Sequence, residues 1–126
     1  MNYRHILLID DDTDDQEIFT TALEKATSLV TCTTLCSAND ALQKLSGKEI
    51  VPDVIFLDLN MPVMNGQQFL LEIKKSPELS SIPIIIFSTS AHLPTILLTR
   101  ELGAQDFITK PDKFDDLVDI LRSFLG

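Results

Sequence analysis

Cysteine is scarce in this sequence: Cys32 and Cys36 are the only two in 126 residues. On a single strand their Cα atoms stand about 13 Å apart. A disulfide needs less than about 7 Å, so the pair cannot bridge within that strand. Two thiols with no histidine nearby also make a poor zinc site, and both read as small buried apolar residues. Basic residues are few as well, 10 against 19 acidic ones, for a net charge of −9. That balance argues against nucleic-acid binding, which depends on Lys and Arg to neutralise phosphates, and suits protein partners and bound cations. No apolar run approaches the ~20 residues that a membrane helix needs. The opening Met1-Asn2-Tyr3-Arg4-His5 leads into only four apolar residues before three aspartates. A secretory signal needs a longer apolar stretch and a small-residue cleavage site, so the expected location is cytoplasmic, away from membranes.

What is present is an ordinary single-domain composition, 44% apolar and 23% charged, in a chain near the commonest domain size. Folding at this length buries roughly two-thirds of the unfolded surface, so neither a disulfide nor a metal is required for stability. Short apolar runs alternate with stretches of helical period. His5–Ile9 is a continuous apolar run of the kind covered on both faces of a sheet. Thr13–Ala26 places Ile18, Phe19, Ala22, Leu23 and Ala26 at helical spacing, with Asp14, Asp15 and Glu17 in the first turn, where acidic groups suit the helix dipole. Val30–Cys36 is a second predicted strand, and a short helix follows from about Asn39 to Leu45. The third strand, Val54–Leu57, runs into Asp58. A loop from Leu59 to Gly66 precedes a helix over Gln67–Lys75. Pro83–Phe87 is the fourth strand, ending on Ser88, and a helix over Pro94–Leu102 is stopped by Gly103. Asp106–Thr109 is the fifth strand. Asp112 is expected to cap a last helix with a stripe of Phe114, Leu117, Val118, Leu121, Phe124 and Leu125, which leaves Ile120 off the stripe as a possible partner contact. Five strands alternating with five helices predict one α/β domain, a doubly wound, flavodoxin-like parallel sheet of order 2-1-3-4-5.

In such a sheet ligands bind beyond the carboxyl ends of the strands, where the order reverses. Strand one ends in Asp10-Asp11-Asp12, strand three in Asp58, strand four in Ser88-Thr89-Ser90, and strand five is followed by Lys110-Pro111. Strands one and three are neighbours in this order, so the aspartates should lie beside Asp58. Asp12 reads equally well as the cap of the first helix. Clustered carboxylates repel one another and rise in pKa unless a cation neutralises them. Mg²⁺, with a few carboxylates and retained waters, is the usual choice for phosphoryl chemistry. An EF-hand loop is excluded, because Asp15 stands where glycine is needed and Thr21 where glutamate is needed.

Together, Ile6-Leu7-Leu8-Ile9-Asp10-Asp11-Asp12, Asp53 to Pro62 with Asn65-Gly66, and Gly103 to Pro111 resemble a response-regulator receiver domain of two-component signalling. The match covers the whole chain, in order. The resemblance implies that Asp58 is the phosphoacceptor, taking its phosphoryl group from a histidine kinase or histidine phosphotransfer protein. It further implies a Mg²⁺ site of Asp10, Asp11, Asp58 and the Asn60 backbone carbonyl, with Lys110 and Ser88 contacting phosphoryl oxygens. It also implies a cis Lys110–Pro111 bond. Ser88 and Phe107 occupy the family's switch positions, with Thr89 the alternative hydroxyl, and the switch would reshape the face of helix four, strand five and helix five for a downstream protein target.

The sequence departs from the family's commoner pattern at three places. Serine stands where threonine is more frequent, Thr89 is bulkier than the usual small residue, and Phe107 lacks the hydroxyl of the frequent tyrosine. The implied protein is a single-domain regulator with no output domain, catalysing only its own phosphorylation and dephosphorylation. The alternative is a receiver-like adaptor that works without phosphorylation. An aspartyl-phosphate phosphohydrolase would need a second acid two residues after the nucleophile, where this chain has Asn60. A flavodoxin-like cofactor binder would need a Ser/Thr/Gly-rich phosphate loop after strand one.

Overall fold

A computed structural model describes residues 3–125. Its strands are β1 (His5–Ile9), β2 (Thr31–Leu35), β3 (Val54–Leu57), β4 (Ile84–Ser88) and β5 (Asp106–Thr109). They alternate with α1 (Thr13–Ala26), α2 (Ala38–Ser46), α3 (Gly66–Lys74), α4 (Leu93–Glu101) and α5 (Phe114–Leu125). Every strand pairing is parallel, and the order is β2-β1-β3-β4-β5. The predicted doubly wound sheet is therefore the observed one.

Side chains alternate across a strand, so each apolar run serves two cores. Leu7, Ile9, Ile55, Leu57, Ile84 and Ile86 face one side, against Leu45, Phe69, Leu70 and Ile73 of α2 and α3. Ile6, Leu8, Val54, Phe56, Ile85 and Phe87 face the other, against Phe19, Leu23, Leu117 and Leu121 of α1 and α5. Burying one such Leu or Ile contributes ~1.5–3 kcal/mol, which is why the apolar runs Ile6–Ile9, Val54–Leu57 and Ile84–Phe87 are stable here and would not be on an open sheet face. Phe19 meets Phe56 and Phe87 edge-on, with centroids 5.2 and 5.5 Å apart. Those contacts pin α1 over β3 and β4 and so set where its first turn lies.

The helix ends follow capping chemistry. Asp12 caps α1 by accepting from the Asp14 and Asp15 amides, and Asn65 with Gln68 closes a reciprocal capping box on α3. Each of the five helices carries a basic residue in its last turn, in order Lys25, Lys44, Lys74, Arg100 and Arg122. In α4 only Thr99 is buried, while Leu93, Leu97 and Leu98 are exposed.

Several expectations shift. β2 loses Val30 and Cys36, and β4 exchanges Pro83 for Ser88; a proline has no amide for the ladder. The helices α2, α3 and α4 each begin one residue early, and α3 and α4 end one early. Cys36 is exposed rather than buried, because the chain leaves the sheet there. Cys32 is partly buried, which pushes its thiol up to about 12 and leaves it inert. Asp112 does not stand next to α5: the Leu117 amide closes the first turn on the Lys113 carbonyl. Phe114 opens that helix and is 37% exposed, with the Lys25 ammonium over its ring. Ile120 is half-buried. No peptide bond among the described residues is cis, Lys110–Pro111 included.

Candidate functional site

The parallel register brings four strand ends to one edge. β1 delivers Asp10, β3 delivers Asp58, β4 ends on Ser88 and β5 is followed by Lys110. Backbone hydrogen bonds extend the ladder past the strands: the Asp58 amide donates to Ile9 (3.0 Å) and the Lys110 amide to Ser88 (2.7 Å). Register thus places these side chains, and they do not depend on loop flexibility for their positions.

Ligand oxygens of Asp10, Asp11 and Asp58 lie within 4.8 Å of one another. Asp10 and Asp58 are buried and Asp11 is exposed. Burial pushes the Asp58 carboxyl up to about 6. The Lys110 charge opposes that rise, Asp10 adds to it, the Asn60 amide lowers it, and Asp11 raises it slightly. One ammonium does not balance three carboxylates, which is the electrostatic condition of a hard-cation site. The donor set is all oxygen, which suits Mg²⁺.

Lys110 makes the charged contacts of the edge. Its Nζ donates to Asp10 Oδ2 at 2.8 Å and to Asp15 Oδ2 at 2.9 Å, and stands 3.9 Å from Asp58 Oδ1. Burial works against the ammonium, but the two hydrogen bonds and the Asp10 and Asp58 charges outweigh it and hold its pKa above the ordinary lysine range. A trans bond to Pro111 already permits this aim.

Ser88 is fully buried and its Oγ accepts from the Ser90 amide at 3.4 Å, whereas Thr89 is exposed past the end of β4. Phe107 is half-buried on the α2–α3 side of the sheet. Asn60 is exposed, two residues beyond Asp58. Gly66 closes the loop after Asp58 by donating its amide to the Leu59 carbonyl at 3.0 Å.

Two residues enter the site that sequence reasoning passed over. From the sequence Asp15 reads as dipole compensation and as a misfit in an EF-hand loop, with no partner in the site. The signal was the Asp12 cap, which makes Asp15 the third residue of the helix and turns it back toward the strand ends. Nothing in its local sequence marks Gln16, whose Nε2 donates to the Asp10 carbonyl at 2.6 Å and ties α1 to the β1 exit.

Residues 6–122 match the response regulator receiver domain family. The two-component response regulator ORR8 of Oryza sativa subsp. indica is 34% identical over 122 residues, which cover 97% of this chain and 98% of that protein. The protein-glutamate methylesterase/protein-glutamine glutaminase of Halalkalibacterium halodurans is 39% identical over 108 residues, 84% of this chain and 30% of the longer protein. The crystal structure of the phosphorylated cyanobacterial phytochrome response regulator RcpA has a TM-score of 0.87 at 29% identity, over 97% of this chain and 91% of its own. The Mn²⁺-bound form of response regulator Rcp1 has a TM-score of 0.85 at 27% identity, over 96% and 91%. Among the described residues no helix is long and apolar enough to cross a membrane.

Proposed function

Because the chain belongs to the response regulator receiver domain family, a family of signalling domains, we propose that Asp58 accepts a phosphoryl group from a phosphohistidine on a histidine kinase or phosphotransfer protein. The observation that carries this reading is the convergence of Asp10, Asp11 and Asp58 within 4.8 Å, with an ammonium 3.9 Å from the acceptor oxygen.

The chemistry asked of the residues is modest, since phosphoryl transfer is mainly positioning and charge stabilisation. A carboxylate oxygen of Asp58 attacks phosphorus, the phosphorus–nitrogen bond of the phosphohistidine breaks, and the departing imidazole takes a proton from solvent. Above its pKa of about 6 Asp58 is ionised, so it needs no general base. Lys110 faces the phosphoryl oxygens as a point charge, and the Ser88 hydroxyl donates to one of them. Its burial at the end of β4 favours Ser88 over the exposed Thr89 for this role. Asp10, Asp11, Asp58 and the Asn60 carbonyl would hold Mg²⁺, which when bound supplies charge neutralisation at the phosphoryl oxygens.

The response follows from adding negative charge beside Ser88. Ser88 moves toward the new group, Phe107 turns into the space behind it, and the face of α4, β5 and α5 changes shape. The lightly buried α4 is the element with least to lose in such a shift. A downstream protein reading that face is the expected listener, in a cytoplasmic setting and without nucleic-acid contact. Incubation with Mg²⁺ and acetyl phosphate tests the reading by intact mass. A shift of one phosphoryl group that Asp58→Asn abolishes is expected. Absence of the shift in the wild type, or its survival in Asp58→Asn, sides with the phosphorylation-independent adaptor.

A further inference from the structure

Lys110 is held by two carboxylates other than Asp58. Its ammonium has three protons, and two are taken by Asp10 Oδ2 and Asp15 Oδ2 at 2.8 and 2.9 Å. The third partner, Asp58 Oδ1, is 3.9 Å away, beyond hydrogen-bonding reach. The Lys110 side chain is 12% exposed, so few other poses are open to it. Asp15 keeps its place because α1 is fixed twice, by the Asp12 cap on the Asp15 amide and by Phe19 wedged between Phe56 and Phe87.

We propose that Asp15 is a positioning residue for phosphoryl acceptance: it draws the Lys110 ammonium off Asp58, keeping the acceptor oxygen free and leaving the gap that an incoming phosphoryl oxygen fills. Without Asp15 the lysine loses one of its two anchors. After Asp10, which still holds it at 2.8 Å, the buried Asp58 carboxylate at 3.9 Å is the nearest negative charge, and a lysine drawn onto it would mask the nucleophile with an ion pair that must break before attack. With Asp15 present, the ammonium stands where it meets the phosphoryl group rather than the carboxylate that receives it. The idea rests on Asp58 being the acceptor.

This assignment runs against simple electrostatics, which makes it sharp. Removing a carboxylate beside the site lowers the repulsion felt by an anionic phosphodonor, so charge alone makes Asp15→Asn faster. The positioning role makes Asp15→Asn slower, by roughly fivefold, the scale of one partly exposed ion pair. Asp14→Asn removes the same charge one residue away, from an exposed side chain in no ion pair among the described residues, and is not slowed.

The test measures the rate of phosphorylation by acetyl phosphate with Mg²⁺ for the wild type, Asp14→Asn, Asp15→Asn, Asp15→Glu, Lys110→Ala and the Asp15→Asn/Lys110→Ala double variant. Expected are a slow Asp15→Asn, recovery in Asp15→Glu, and no further effect of Asp15→Asn once Lys110 is gone. Urea unfolding of the Mg²⁺-free proteins supplies a second readout, with non-additive effects of the Asp15 and Lys110 substitutions. An Asp15→Asn as fast as or faster than wild type, a slowing that persists without Lys110, or additive unfolding effects overturns the proposal. A wild type that takes no phosphoryl group at Asp58 removes the underlying reading as well, and the two failures are distinct.

Discussion

Gly66 lies directly against the backbone of Asp58: a Cβ built on Gly66 would stand 2.5 Å from the Asp58 carbonyl oxygen and 2.8 Å from the Leu59 Cα. Those neighbours are main chain and cannot rotate aside. Gly66→Ala therefore has to push α3 away from the end of β3. The expected cost is about 1–3 kcal/mol, the range for overpacking a close contact. Because the displaced atoms belong to the proposed acceptor, phosphorylation by acetyl phosphate should slow more than stability alone explains. Urea midpoints and initial rates on the same variant check both.

The raised Asp58 carboxyl links stability to pH. Its pKa is about 6 in the folded chain against 3.8 as an ordinary aspartate. Between those values the folded chain binds more protons than the unfolded one, so stability falls as pH rises through that window. Above pH 6 the ionised group opposes folding by on the order of 2–3 kcal/mol. Asp58→Asn should be more stable than wild type at pH 7 without Mg²⁺, with the difference closing by about pH 4. Unfolding midpoints for both proteins across that range decide it, and a constant difference would refute the linkage.

The same window governs the ion. Mg²⁺ should raise the melting temperature at pH 7.5, by about 2.7 kcal/mol of stability at a hundredfold excess over its dissociation constant. Protons compete for Asp58, so the effect should shrink as pH falls through about 6. Thermal unfolding with and without Mg²⁺ at pH 7.5 and 5 measures this, and equal gains at both values count against Asp58 as a ligand.

Val63 carries strain that function does not obviously need. Its φ is +67° although it is β-branched, and it is 92% exposed, so no packing compensates. The left-handed conformation costs roughly 1–2 kcal/mol for such a residue, and asparagine tolerates it better. Val63→Asn should stabilise the chain by about 0.5–1 kcal/mol, read as a higher urea midpoint at unchanged slope.

Most of the sheet was legible because Ile84–Phe87 and Ile6–Ile9 are continuous apolar runs that only a doubly covered strand explains. The site was legible because polar residues at strand ends stay where register places them. Placement across elements was not legible. The Asp15 to Lys110 bond joins positions 95 residues apart, and it depends on how Phe19 seats α1. Phe114 fits the apolar stripe by spacing, yet it opens α5 and stays partly in solvent. Cys36 looked like strand because nothing local marks the residue at which the chain leaves the sheet. The trans Lys110–Pro111 bond could not be read from the residues, since the cis form came with the resemblance.

The basic last turns of the helices have a consequence for the molecule as a charged body. In a parallel sheet every helix ends at the edge opposite the strand carboxyl ends, so Lys25, Lys44, Lys74, Arg100 and Arg122 gather at the far pole. Asp10, Asp11, Asp12, Asp14 and Asp15 occupy the other. The strand carboxyl edge is thus the more acidic end of the molecule, while at the far end Glu24, Glu72 and Glu101 stand among the basic residues of the last turns. An acidic edge of that kind steers an approaching partner before the surfaces touch, favouring one with a basic rim. Added salt shortens the reach of that steering, to about 8 Å at physiological ionic strength, and slows the encounter. Two copies of the chain meeting aspartate edge to aspartate edge repel.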